Sequence, residues 1–177
     1  MVIMKKLLLI VDFQNDFVDG ALGFDSALDV VQPIYDKIAE YKSKGDDIIF
    51  TRDTHDDNYL NTQEGKNLPV PHCIKGTHGW EIYGEANDLD NVVFDKGAFG
   101  SLELGQHLVG KDYDVVELGG LVSNICILST AVLVKSALPE ALVVVDERLT
   151  DSYDKALHQA ALDVMEGFQV KVIRKSV

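Results

Sequence analysis

Three residues at the ends of apolar runs carry the chemistry of this chain. Cys126 closes the stretch Gly119-Gly120-Leu121-Val122-Ser123-Asn124-Ile125-Cys126, between the apolar run Val115-Val116-Glu117-Leu118 and a run of small and apolar residues reaching Leu138 before Pro139. The first run reads as a buried strand and the second as a buried helix. Cys126 therefore sits at a strand–turn–helix junction, where free backbone N–H groups and the positive end of the helix dipole collect. A thiol there is biased toward thiolate, and an oxyanion formed beside it finds donors. The plainer alternative is a small buried hydrophobe on a core helix. Leu7 to Val11 is another apolar run, and it ends in Asp12. Val92-Val93-Phe94 leads into Asp95-Lys96. A cysteine nucleophile needs a lowered pKa and a proton acceptor. Lys96 would favour the thiolate, and Asp12 could take the thiol proton and return it to a leaving amine. Against this, Asp12 could equally cap a helix or lie in a solvated loop, and Lys96 could be an ordinary surface lysine.

A second group lies in the long segment from Arg52 to about residue 90, which has little periodicity and contains Pro69 and Pro71. A loop of that length in a compact domain is usually functional. Asp53 and His55 are two apart and project from the same side of an extended segment. With Glu64 and His72 they form an oxygen–nitrogen ligand set suited to a divalent metal, Zn²⁺ first, with Mn²⁺ or Fe²⁺ as alternatives. The spacing is no zinc-finger pattern, so Asp53 as a turn former and His72 as a packed histidine stay open.

The elements that must position these groups alternate. Strands are expected at Leu7–Val11, Asp47–Thr51, Val92–Phe94, Tyr113–Leu118, Leu142–Val145 and Val170–Ile173. Between them, Leu28, Val31, Ile34, Ile38 and Tyr41 recur at helical spacing from about Ala27 to Lys44, with Gly45 closing the pattern. Pro33 lies inside it, so this helix is kinked or begins later. Ser101 can cap a short helix, Leu102 to Leu108. Asp151 or Ser152 can cap another from about Tyr153 to Glu166. Strands alternating with helices imply a parallel sheet covered on both faces, joined by right-handed crossovers. In such a sheet ligands bind beyond the carboxyl ends of the strands, where Asp12, Lys96 and Cys126 all fall.

Bulk properties narrow the class. The 177 residues suffice for one domain, residues 1–177, with a sizeable core. A 46% hydrophobic and 25% charged composition is that of a globular chain. The formal net charge of −13 argues against nucleic acid or an anionic membrane as partner. Two cysteines make no disulfide framework, which fits a reducing, cytoplasmic setting. The start, Met1-Val2-Ile3-Met4-Lys5-Lys6, precedes an apolar run of only five residues and reads as the approach to a first strand, not a signal peptide. No stretch reaches transmembrane length.

Five motifs in order then show a resemblance. They are Ile10-Val11-Asp12-Phe13-Gln14-Asn15-Asp16-Phe17, Thr51-Arg52-Asp53-Thr54-His55, Pro71-His72-Cys73-Ile74-Lys75-Gly76-Thr77, Lys96-Gly97-Ala98-Phe99, and Gly119 to Cys126. Together they resemble the isochorismatase-like cysteine hydrolases, and within them the nicotinamidases, over almost the whole chain. The resemblance implies a six-stranded parallel sheet with helices on both faces, a Rossmann-like three-layer sandwich. It implies that Asp12, Lys96 and Cys126 are the catalytic triad of an amidase working through a thioester. It places the oxyanion hole at the backbone N–H groups of Val122 and Cys126, and a cis peptide at Leu121–Val122. It implies a metal on Asp53, His55, Glu64 and His72 that orients a small amide substrate, and a homo-oligomer, dimer or tetramer. There are departures. Leu68-Pro69-Val70-Pro71 lacks the tryptophan that nicotinamidases commonly place before the His72 position, leaving Phe17 or Phe99 to wall the substrate, with Trp80 serving packing. Asn124 stands where many members have aspartate. Cys73 is a rival nucleophile without a helix N-terminus. The runner-up readings are an amidase for another small amide or carbamoyl compound, and a non-catalytic binding domain on the same fold.

Overall fold

The computed structural model describes residues 4–88 and 90–176; Met1 to Ile3 of the opening run lie outside the described residues. Six strands form one parallel sheet in the order β3-β2-β1-β4-β5-β6. They are β1 (Lys6–Val11), β2 (Asp47–Asp53), β3 (Val92–Lys96), β4 (Val115–Leu121), β5 (Leu142–Asp151) and β6 (Lys171–Ile173). The helices are α1 (Asn15–Val18), α2 (Val31–Lys44), α3 (Gln63–Asn67), α4 (Leu102–Leu108), α5 (Leu128–Ala137) and α6 (Lys155–Gly167). The expected fold class holds, with six parallel strands between two helical layers.

The alternation of β1 explains the layers. Leu7, Leu9 and Val11 point into a core shared with α4, α5 and α6. Leu8 and Ile10 point the other way, into a core shared with α1 and α2. All five are fully buried, and each contributes roughly 1.5–3 kcal/mol by leaving water. A continuous apolar run is what a central strand covered on both faces requires.

Several boundaries differ from the sequence expectation. The helical pattern from Ala27 resolves into a tight 3₁₀ segment, Asp25–Val30, followed by α2 from Val31. Pro33 thus falls in the first turn of α2, where its missing N–H costs nothing, and the helix begins later, without needing a kink there. β5 runs on to Asp151, well past Val145. The cap of α6 is consequently neither Asp151 nor Ser152. It is Asp154, whose carboxylate accepts the Leu157 N–H at 2.9 Å. The long loop after β2 is not structureless. It folds into α3 and several 3₁₀ turns.

The tightest backbone approach is between β1 and β4, where the strand order reverses. Gly120 has a φ of +123°, and a side-chain carbon there would run into the Val11 carbonyl. Only glycine lets β4 lie this close to the end of β1 and continue into the turn that bears Cys126. Gly120→Ala is therefore expected to cost about 2–4 kcal/mol in urea unfolding. A loss below about 0.5 kcal/mol, the range of an ordinary surface substitution, would contradict this account.

Candidate active site and metal-ligand cluster

The strand order reverses between β1 and β4, and the crevice beyond the carboxyl ends of the strands opens there. Asp12 follows β1, Asp53 ends β2, Lys96 ends β3 and Cys126 lies in the turn after β4. Parallel register sets Asp53 directly opposite Lys96. Lys96 Nζ lies 2.6 Å from Asp12 Oδ2, 3.7 Å from Cys126 Sγ and 4.0 Å from Asp53 Oδ1. It also donates to the Ala98 carbonyl at 2.9 Å. Asp12 Oδ1 accepts the Thr51 hydroxyl at 2.7 Å. Oδ2 touches the ammonium but receives no aligned hydrogen bond, so it is the oxygen free to accept a proton. The structure thus brings together all three residues singled out from strand ends. Thr51, which holds the carboxylate, carried no sequence signal beyond its place in a strand.

These groups are buried, and burial decides their protonation. Burial alone would lower the Lys96 pKa, but the charges of Asp12, Cys126 and Asp53 outweigh it and the pKa is raised. The ammonium form is fixed. Burial raises the Asp12 pKa, and the Lys96 charge opposes the rise without cancelling it. Burial, then the Asp12 charge, raises the Cys126 pKa well above that of a free thiol. The expected bias toward thiolate is therefore corrected. Cys126 is only 5% exposed and faces a carboxylate as well as an ammonium, so burial and the Asp12 charge work toward the protonated sulfur. The helix N-terminus also helps less than expected. Ser123–Ile127 is a wide helical turn and α5 begins only at Leu128. The peptide bond Leu121–Val122 is cis, as expected.

A second cluster lies beside Lys96. Asp53 Oδ2 is 3.0 Å from His55 Nε2 and 3.3 Å from His72 Nε2. Glu64 Oε1 is 3.7 Å and 3.6 Å from the same two nitrogens. One ligand atom from each residue falls within 4.8 Å of every other. The segment after His72 reaches this position by running parallel to the extension of β2. The His55 N–H donates to the Cys73 carbonyl at 3.0 Å, and the Lys75 N–H to the His55 carbonyl at 2.8 Å. Gln14 clamps Asp53 from behind, accepting its N–H at 2.7 Å and donating to its carbonyl at 2.8 Å. Glu64 arrives on α3, which Thr62 caps by accepting the Gly65 N–H at 3.0 Å.

The donor set fits a cation. His72 Nδ1 donates to the Val70 carbonyl at 2.8 Å, so in the neutral tautomer its Nε2 turns a lone pair toward two carboxylates. Acceptors facing acceptors need a proton or a metal between them. Burial opposes a charged His72, but the Asp53 bond, the Val70 carbonyl and Glu64 outweigh it and the pKa is raised. Burial likewise works to raise the Asp53 pKa, yet both histidines and Lys96 hold it well below the usual carboxylate range. Glu64 is raised by burial and by Asp53.

One cavity of about 360 Å³ is lined by Cys126 of the first group and by Asp53, Glu64 and His72 of the second, while Asp12, Lys96 and His55 lie behind its wall. Asp53, Glu64, His72 and Cys126 supply its polar atoms, and Phe17, Leu22, Leu68, Phe99, Val122, Ile125 and Tyr153 its apolar walls. Phe17 packs at 8% exposure with its ring 5.6 Å from that of His72, whereas Phe99 is 48% exposed. Tyr153 was not singled out in the sequence; only the fold brings the end of β5 to this cavity. Trp80 is not part of its lining. Its Nε1 donates to Thr54 Oγ1 at 2.9 Å and the Arg52 guanidinium stacks on its ring at 3.5 Å. Cys73 is fully buried outside the lining, and burial pushes its thiol pKa far up.

The Isochorismatase domain family model matches residues 6–176. The chain belongs to the isochorismatase family. Among relatives, an isochorismatase family protein PncA of Bacillus subtilis is 32% identical over 143 residues, covering 73% of this chain and 78% of that one. The nicotinamidase/pyrazinamidase of Mycobacterium tuberculosis is 28% identical, covering 97% of this chain and all of that one. Among solved structures, the nicotinamidase PncA of Bacillus subtilis superposes with a TM-score of 0.83 at 27% identity, covering 97% of this chain and all of that one. A pyrazinamidase of Pyrococcus horikoshii, solved in complex with zinc, superposes with a TM-score of 0.80 at 26% identity, covering 97% and 99%. No helix among the described residues is long and apolar enough to cross a membrane.

In this isochorismatase-family site the raised His72 pKa would make the binding of a divalent metal depend on pH. Proton and metal compete for Nε2, so affinity is full above that pKa and falls as the pH drops through it. In the metal-free protein the sign is opposite: His72 contributes stability below its ordinary value of 6.5 and loses it as the pH rises through the folded-state value. Calorimetric titration should give about one zinc per chain, weaker at pH 6 than at pH 8. His72→Ala should weaken binding by about 100-fold or more. Equal affinity in the variant would refute the ligand set.

Proposed function

We propose that this isochorismatase-family chain is a nicotinamidase, hydrolysing nicotinamide to nicotinate and ammonia. The observation that carries the reading is one cavity onto which face both Cys126, backed by the buried Asp12 and Lys96, and three residues of a four-residue metal-ligand cluster. The nicotinamidase and pyrazinamidase names among relatives and solved structures support it. Cys126 is the proposed nucleophile, Asp12 the general base and acid, and Lys96 the cation that stabilises the anion passing between them.

The steps follow from the residues. Asp12 Oδ2 takes the thiol proton as sulfur attacks the carboxamide carbon, so the carboxylate negative charge disappears as negative charge moves to the carbonyl oxygen. The Val122 and Cys126 N–H groups are assigned to that oxyanion. Asp12 then gives its proton to the amide nitrogen, the C–N bond breaks and ammonia leaves. A water, deprotonated by Asp12, attacks the thioester and expels the Cys126 sulfur, which takes the proton back. A carboxyl whose pKa is raised from its ordinary value is better matched to both roles. Asp53, His55, Glu64 and His72 would hold a divalent metal, zinc being the first candidate, which when bound supplies a Lewis acid to seat the pyridine nitrogen and orient the ring. Phe17 and Phe99 are assigned to the faces of the substrate, with Phe17, the buried one, the firmer wall.

The stretch before His72 brings Leu68 and no tryptophan to the cavity wall, which favours a second reading, the same chemistry on another small amide. Ammonia release separates the two. Purified protein loaded with zinc should release ammonia from nicotinamide. Cys126→Ala should lose at least about 10⁴-fold of that rate while keeping its circular dichroism spectrum. Turnover near wild type in this variant would sink the nucleophile assignment. An active protein that ignores nicotinamide but hydrolyses another small amide would select the second reading.

A further inference from the structure

A second buried polar chain lies behind the turn that bears Cys126. Ser123 Oγ is 2.7 Å from His158 Nδ1, and His158 Nε2 is 3.3 Å from Glu147 Oε1. That same oxygen accepts Gln159 Nε2 at 2.9 Å, and Oε2 accepts the Lys175 N–H at 2.7 Å. Asp151 Oδ1 lies 3.8 Å from His158 Nδ1. Ser123 is 0%, His158 3% and Glu147 8% exposed.

Serine, histidine and glutamate in this order form the set of a nucleophilic hydrolase. They cannot act as one here. None of the three lines the cavity, and no substrate carbonyl can reach a fully buried hydroxyl. Their bonding is nonetheless complete when His158 is neutral with its proton on Nε2. Nε2–H then donates to Glu147 and Nδ1 accepts the Ser123 hydroxyl. A satisfied buried network of this kind fixes the position of whatever it holds.

What it holds is the nucleophile turn. Ser123 sits between Val122 and Cys126, whose N–H groups are assigned to the oxyanion. The turn shares its backbone acceptors, and the Leu128 N–H reaches both the Ser123 and the Ile125 carbonyls. The Val122 carbonyl is shared by the Ile125 and Ile127 N–H groups, at 3.2 Å each. The neighbouring side chain adds nothing, since Asn124 Oδ1 is buried without a partner. The Ser123 hydroxyl ties this segment to α6, and Glu147 ties α6 to β5 and to the chain after β6. We infer that Ser123, His158 and Glu147 are positioning residues that fix the turn carrying Cys126, so that α6 sets the geometry of the nucleophile.

The inference rests on the nicotinamidase reading for its kinetic arm only. The test therefore measures two quantities. The first is the alkylation rate of Cys126 by iodoacetamide, read by mass spectrometry with Cys73 as internal reference. The second is kcat and KM on nicotinamide. Ser123→Ala should slow Cys126 alkylation about fivefold or more and lower kcat about tenfold, with KM within about twofold and zinc content unchanged. Ser123→Thr, which keeps the hydroxyl, should recover most of both. An alkylation rate equal to wild type in folded Ser123→Ala overturns the inference. If Ser123→Ala does not fold, two variants of His158 decide. His158→Asn keeps an acceptor near Nδ1 and should alkylate near the wild-type rate, while His158→Gln loses it and should be slow. Equal rates overturn the inference. Wild-type protein inactive on nicotinamide would sink the nicotinamidase reading, and the alkylation comparison would still judge the positioning chain.

Discussion

The buried ion pair between Asp12 and Lys96 is the constraint around which the rest of the sheet is arranged. Removing two charges from water is costly, and only close geometry with further hydrogen bonds offsets that cost. Here the 2.6 Å contact is supplemented by the Thr51 hydroxyl on Asp12 and by the Ala98 carbonyl on Lys96. The two residues come from strands that are not neighbours. β2 lies between β1 and β3, so two parallel registers must hold together for the pair to form. A slip of one residue in either would turn Lys96 or Asp53 to the opposite face. The apolar run Leu7 to Val11 of β1, locked into cores on both sides, is what prevents it.

Lys96 also links the two halves of the site. Its ammonium faces Asp12 and Cys126 on one side and Asp53 on the other. Asp53 in turn faces both histidines. The same cation therefore steadies the thiol group and holds down the pKa of a metal-ligand carboxylate. Burial of one side chain thus sets protonation across the whole cavity floor, and a change at Lys96 cannot be confined to either half.

Much of this was legible in the sequence because it depends on local signals. Short apolar runs ending in Asp12, Lys96 and the cysteine turn mark buried strands, and in a parallel sheet all their carboxyl ends fall on one edge. Asp53 and His55 were legible from their two-residue spacing. Glu64 and His72 were legible as residue types, but the contact between them needs α3 and the strand-like path after His72, which no periodicity announces. Thr51, Gln14 and Tyr153 were missed for the same reason. Thr51 and Gln14 each act on a partner 39 residues away, and Tyr153 through a cavity wall that exists only once β5 has run on to Asp151. The protonation of Cys126 was misread because local sequence suggests a helix N-terminus, whereas the outcome depends on burial and on the Asp12 carboxylate brought in from β1.

That misreading bears on the proposed chemistry. A preformed thiolate beside the Asp12 carboxylate would place two anions against one ammonium among buried side chains. Burial of Asp12 and Cys126 works against that doubly anionic arrangement. Burial raises the pKa of both the thiol and the carboxyl, so each is disfavoured as an anion. The negative charge then passes from carboxylate to sulfur to the carbonyl oxygen while Lys96 stays within reach of the first two. In the proposed reaction the site therefore needs no strong base. It needs a proton acceptor beside the sulfur and a cation beside both, which Asp12 and Lys96 supply.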